Sequence, residues 1–413
     1  MKFTPLAPLN KVGRVARALV LVALLIGSLF PTVGGISVTA VASIAALALI
    51  IYELGRWIPK IHPVLVVLPI FGILVLHMVS IPPLTSYGAE KMETWYTATL
   101  LTALSACLLR DERALLTFCR AWLVASGLLA VITILGFQGG RADGFDSNPI
   151  WLARAMATGI VMSLFLVMQR DIKAWVFLGI SALLVAGIFA TGSRGPILAV
   201  GIGAIALVMF TRRHRVRRIL GVAIGAGAAY WAVTTLPFFA DSRINTLLTD
   251  GDTDLSRNIF WSVTPPLIAA HPEGVGVGNW SLVAGAPRQF MYPHNLFLEV
   301  FAEYGIWFGA GLLIIVITLL IRLLRRARET PIAILVLALL AAEVAQVSVS
   351  GDLNARTFWF LMALAFLVGV RAVIPSLTPG SDGAAGTFSA TVPRDASSGR
   401  LGPDERTQER QRS

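Results

Sequence analysis

The chain has 413 residues, of which 56% are hydrophobic and only 14% charged, with a formal net charge of +11. Soluble domains carry about 25% charged residues, so the composition argues against a soluble enzyme and for a polytopic membrane protein. The 34 Lys and Arg residues are scattered between apolar runs and form no single aromatic-laced basic face, which argues against nucleic acid as a partner.

In chain order the apolar runs predict about twelve transmembrane helices, near 17–31, 35–53, 62–80, 94–109, 114–136, 150–168, 174–190, 196–210, 219–236, 297–321, 331–349 and 358–374. The predicted fold class is all-α polytopic, with one long, helical external (periplasmic) loop at 237–296. Lys and Arg gather in "KVGRVARA", "GRWIPKI", "RDER", "QRDIK", "TRRHRVRR" and "RLLRRARET", the segments that alternate onto one side, and basic loops are retained in the cytoplasm. Both termini are therefore expected inside the cell. The membrane domain is expected over 1–374, and the Gly-, Ser- and Pro-rich tail at 375–413 reads as disordered and cytoplasmic. Cys107 and Cys119 flank an inside loop, against a disulfide framework. The first apolar run lacks a clear A-x-A site and is read as a span, not a cleaved signal.

The outside segments carry the informative residues. "TGSRG" places Arg194 between two spans, flanked by Ser193 and Gly195. A tight hairpin with a snorkelling arginine explains it; so does an anion site, where a guanidinium forks onto phosphate oxygens beside a helix start. "DGDTDLSRNIFW" begins like a calcium loop, but Leu255 and Trp261 stand where glycine and glutamate are required. What remains there is Arg257, at the opening of an amphipathic helix. "HPEGVGVG" is not a dinucleotide fingerprint and reads as a turn with close backbone approach, His271 being a turn residue.

In "YPHNLFLEVFAEYG", His294 stands at the outer entrance of a span and Asn295 is suited to cap the helix. Asn295, Glu299 and Glu303 repeat every four residues and share one face. Carboxylates at that depth are costly and face the bundle interior or a wet cavity. A structural pair with an external arginine is one expectation for them. The other is a neutral imidazole acting as general base, oriented by a carboxylate, with Glu299 the nearer. Arg141, Asp352 and Arg356 lie in further external loops, while Arg154 and Glu343 lie inside spans, where structural pairing is expected. No external cluster has metal-ligand spacing, so neither a metal nor another cofactor is expected.

Taken together, "TGSRGPILA", "RNIFWSVTPPLIAAHPEGVGVGNW" and "YPHNLFLEVFAEYGIWFG", with their spacing and the twelve-span layout, resemble the O-antigen ligase and polymerase family. The resemblance covers roughly residues 140–360; the earlier spans match in pattern only. It implies a membrane-embedded, inverting, metal-independent glycosyltransferase of the cytoplasmic (inner) membrane, with its site facing the periplasm. Its donor would be an undecaprenyl-diphosphate-linked glycan, and its acceptor a glycan, lipid or protein hydroxyl. Arg194 and Arg257 would hold the diphosphate and His294 would activate the acceptor, with Arg141, Asn295, Glu299, Asp352 and Arg356 around them. A ligase passes the glycan to lipid A–core and a polymerase to a second repeat unit; the single long loop favours the ligase. A transporter would need repeated halves and midplane polar groups, and no internal repeat is seen.

Overall fold

The computed structural model describes residues 9–32, 34–57, 80–95, 99–109, 111–138, 142, 147–210, 255–286 and 291–369, with single positions 221, 225, 227, 231 and 235. At 54–57 and 255–258 it describes backbone only. The predicted spans 62–80 and 219–236 lie almost wholly outside these residues, as do the first part of the loop 237–296 and the tail.

The described helices are α1 (Lys11–Ile26), α2 (Val38–Trp57), α3 (Ser86–Thr94), α4 (Leu100–Ser105), α5 (Glu112–Leu135), α6 (Pro149–Met168), α7 (Ala174–Thr191) and α8 (Gly195–Phe210). They continue with α9 (Leu255–Ala270), α10 (Trp280–Val283), α11 (Leu296–Tyr304), α12 (Ile306–Arg326), α13 (Pro331–Ser350) and α14 (Arg356–Gly369). Among the described residues 6 stretches are long and apolar enough to cross a membrane, Lys11–Leu29, Glu112–Leu135, Pro149–Met168, Ala174–Thr191, Ile306–Arg326 and Pro331–Ser350. Shorter apolar helices cover Val38–Glu53, Gly195–Phe210, Ile259–Ala270 and Arg356–Gly369. The described residues form an all-helical, multi-pass membrane protein.

Local chemistry starts these helices where the sequence offers caps. Asp111 caps α5 by accepting from Ala114 N at 2.7 Å, and Thr330 caps α13 by accepting from Ala333 N at 3.3 Å. Asn148 and Thr330 are followed by Pro149 and Pro331 at the first helical position, where the missing N–H costs nothing. α6 and α13 are the most enclosed of the membrane-length helices. α13 packs on α8 and α14, and α6 on α7 and α8. The pairing expected of Arg154 and Glu343 is observed: they form a buried ion pair between α6 and α13. Gln346 donates to the other Glu343 oxygen at 3.2 Å, and the guanidinium lies 4.6 Å from the Trp151 ring centre. Arg17 and Glu53 join α1 to α2 in the same way.

Two predicted spans differ in detail. The run 297–321 is broken at Gly305, whose φ of 88° ends α11 and starts α12. Only a residue without a Cβ fits there, since one would come within 2.6 Å of Pro272 O and Glu273 O. The run 94–109 is described as the short α4 followed by a 3-10 turn, Ala106–Leu108.

Candidate active site

The "HPEGVGVG" turn is joined to α11 and the start of α12 by backbone hydrogen bonds. Val275 N donates to Ala302 O at 2.9 Å, Gly276 N to Glu303 O at 3.0 Å and Ile306 N to Pro272 O at 2.9 Å. Gly274 has φ +94°, and a Cβ there would meet Gly305 N at 2.6 Å, so two backbones approach with no side chain between them. The turn then packs on α3. A Cβ on Gly278 would lie 2.3 Å from Gly88 Cα, and Asn279 bridges by accepting from Leu84 N at 2.7 Å and donating to Val275 O at 2.8 Å. Trp280 Nε1 donates to Thr264 Oγ1 at 3.1 Å, which ties α10 to α9.

This packing delivers a residue that the sequence reading did not single out. The Lys91 ammonium of α3 sits between Glu299 and Glu303 of α11, with all three side chains fully buried. It lies 2.7 Å from each Glu303 oxygen and is paired directly with Glu299. The expected external arginine is thus corrected to a lysine. Burial alone would lower the Lys91 pKa, but the two carboxylates hold it above the usual lysine range, so it is charged. The second Glu299 oxygen accepts from Leu353 N at 3.0 Å. That bond brings the α13–α14 loop, with buried Asp352, onto the same helix. Burial raises the Asp352 carboxyl, against the pull of Lys91 and Arg154. Burial also keeps the Tyr87 and Tyr292 phenols protonated.

Asn295 caps α11 as expected, accepting from Phe297 N at 3.0 Å and Leu298 N at 3.1 Å. His294, just before it, is half-buried and takes φ 53°. Histidine is among the residues that occur in that left-handed region more often than most. Its ring lies 4.5 Å from that of Tyr292 and 6.1 Å from that of Phe260 on α9. Trp261 Nε1 donates to Pro293 O at 3.2 Å, fixing the residue before it.

Arg194 is exposed at the α7–α8 turn, and its carbonyl accepts from Ile197 N at 3.1 Å, which places it at the start of α8. A Cβ on the adjacent Gly195 would meet Val349 Cγ2 at 2.9 Å and Ser350 Oγ at 3.4 Å. The Arg194 turn therefore rests on the end of α13, two residues before Asp352. Ala142 N donates to Ala190 O at 2.9 Å and brings the neighbour of Arg141 to this same turn. Arg141 itself, and the side chain of Arg257, lie outside the described residues, although the helix expected around Arg257 is present as α9. Arg356 Nη1 donates to Leu24 O at 3.4 Å at the end of α1.

The Arg194 turn, the Asp352 loop and the His294–Glu299 segment thus meet at one end of the bundle. Residues 179–313 match the family model described as O-antigen ligase. The match spans Arg194, Arg257, His294, Asn295, Glu299 and Glu303; Lys91, Arg141, Asp352 and Arg356 fall outside it. It bears out the resemblance to the O-antigen ligase family and supports a membrane glycosyltransferase of the ligase or polymerase kind. No curated protein matches the chain.

Proposed function

We propose that the chain is an O-antigen ligase-like glycosyltransferase. It moves a glycan from undecaprenyl diphosphate to an acceptor hydroxyl, that of lipid A–core or a similar molecule, on the outer face of the cytoplasmic membrane. The observation that carries this reading is the convergence of the Arg194 turn with the histidine-bearing rim of α11 through Ser350, Leu353 and Glu299. Neutral His294 takes the acceptor proton while the acceptor oxygen bonds to the anomeric carbon from the face opposite the phosphate. The carbon–oxygen bond to the diphosphate breaks, and undecaprenyl diphosphate leaves with the electron pair. Arg194 and Arg257 stabilise that developing charge by forked hydrogen bonds. Attack from the opposite face inverts the anomeric carbon.

Arg194→Ala is expected to lower transfer by about 10²–10³-fold, the cost of one donor to a developing oxyanion, with Lys a poor replacement because it lacks the fork. Near-normal turnover of a properly inserted Ala variant, measured on a lipid-diphosphate donor, would make Arg194 a snorkelling residue. Activity is also expected to survive EDTA. Among the described residues no three His, Cys, Asp or Glu side chains gather as a metal site, and two guanidiniums supply the neutralising charge. Loss of activity in chelator with recovery in magnesium would point to Asp250, Asp252 and Asp254.

A further inference from the structure

A second concentration of charge lies at the other end of the bundle. The end of α1 meets the candidate site, where Arg356 reaches Leu24 O and Ser147 Oγ reaches Leu29 O at 3.3 Å. The start of α1 is therefore remote from it. There the first turns of α1 and α5 run side by side around a cavity of about 540 Å³, lined by Lys11, Arg14, Arg113, Arg120, Leu116 and Val124 with smaller neighbours. Arg113, Leu116, Arg120 and Val124 recur every three or four residues and form one stripe of α5. Lys11 and Arg14 do the same on α1.

The partners of these cations are few. Arg120 is paired with Asp171, Nε to Oδ2 at 2.8 Å, and Arg14 donates to Leu9 O at 2.6 Å. Lys11 and Arg113 are exposed, and no carboxylate pairs with either among the described residues. Asp111 and Glu112 flank the stripe but line no part of the cavity. Further along α5 the same stripe becomes wholly apolar and stays exposed through Val124, Leu128, Val131 and Leu135. From Arg120 to Leu135 it rises about 22 Å, more than the roughly 15 Å of hydrocarbon in one leaflet.

We propose that this groove binds one anionic phospholipid. Its phosphate lies among Lys11, Arg14 and Arg113, and an acyl chain follows the part of the stripe that one leaflet spans, Val124 and Leu128. Guanidiniums match a phosphodiester in shape and charge, and basic recesses between helices at a membrane face suit anionic headgroups. A zwitterionic headgroup carries its own cation into the same cavity, where Lys11, Arg14 and Arg113 repel it. The position at the far end from Arg194 separates this site from the donor's diphosphate.

The test uses the full chain in phosphatidylcholine nanodiscs with and without phosphatidylglycerol, read by thermal unfolding and by native mass spectrometry of retained lipid. Phosphatidylglycerol is expected to raise the midpoint and to remain bound at one per chain. In Lys11→Gln/Arg113→Gln, whose residues are exposed, the affinity should fall roughly tenfold or more, as for lost hydrogen bonds between charged groups. Arg14→Gln should weaken it independently. Arg325→Gln/Arg328→Gln removes the same charge elsewhere and should change nothing. Unaltered retention in the first variant, equal loss in the control, or an equal shift from inorganic phosphate in phosphatidylcholine alone would overturn the proposal.

Discussion

His294→Ala is expected to lower turnover by about 10²–10⁴-fold, the usual cost of a missing general base, while donor binding persists. The geometry separates those effects. Asn295 fixes the start of α11 and Trp261 holds Pro293, so the imidazole sits at the rim on a backbone that does not depend on it. The arginines belong to other elements, the α7–α8 turn and α9. His294→Asn is the companion variant, since asparagine tolerates the left-handed φ of 53° at this position but is no base. Wild-type activity should fall as acid protonates the imidazole, because imidazolium accepts no proton. Turnover and donor affinity measured together decide the role. Unchanged turnover removes the base, and proportionate loss of donor affinity makes His294 a diphosphate ligand instead.

Lys91→Met is expected to cost about 3–5 kcal/mol, the penalty for removing one partner from a buried ion pair. Two carboxylates, Glu299 and Glu303, would remain fully buried with their shared cation gone. Transfer should fall as well, because Glu299 ties α11 to the Asp352 loop through Leu353 N. Methionine fills the volume, so the loss reads charge and not a cavity. In Lys91→Met/Glu299→Gln/Glu303→Gln no charge is stranded, and most of the lost stability should return. Thermal unfolding in detergent makes the comparison; an unchanged midpoint for the single variant would mean that the triad contributes nothing to stability.

Lys91 also marks the limit of what the sequence reveals. Asn295, Glu299 and Glu303 could be placed on one face because a helix repeats every 3.6 residues, the cap followed from asparagine's preference for a helix start, and the structural pairing of Arg154 and Glu343 from the cost of charges in spans. Lys91 is 212 residues from Glu303, and no local period links them. The signal was indirect: two buried carboxylates demand a cation, and "GAEKMET" offers one on a short helix. The break at Gly305 was hidden for a related reason. The apolar run continues through it, and only the reciprocal approach of Gly274 shows why a turn is needed. The close approach itself was legible in "HPEGVGVG", since three alternating glycines leave backbone bare.

The measurement closest to the central claim is glycan transfer by purified protein. A synthetic polyprenyl-diphosphate-linked glycan is offered with lipid A–core, with a second lipid-linked repeat unit and with a protein acceptor, and glycosylated acceptor and released lipid diphosphate are both quantified. Wild type is expected to give equal amounts of the two products, and Arg194→Ala or His294→Ala little of either. Donor binding without transfer to any acceptor, or transfer undiminished in both variants, would contradict it.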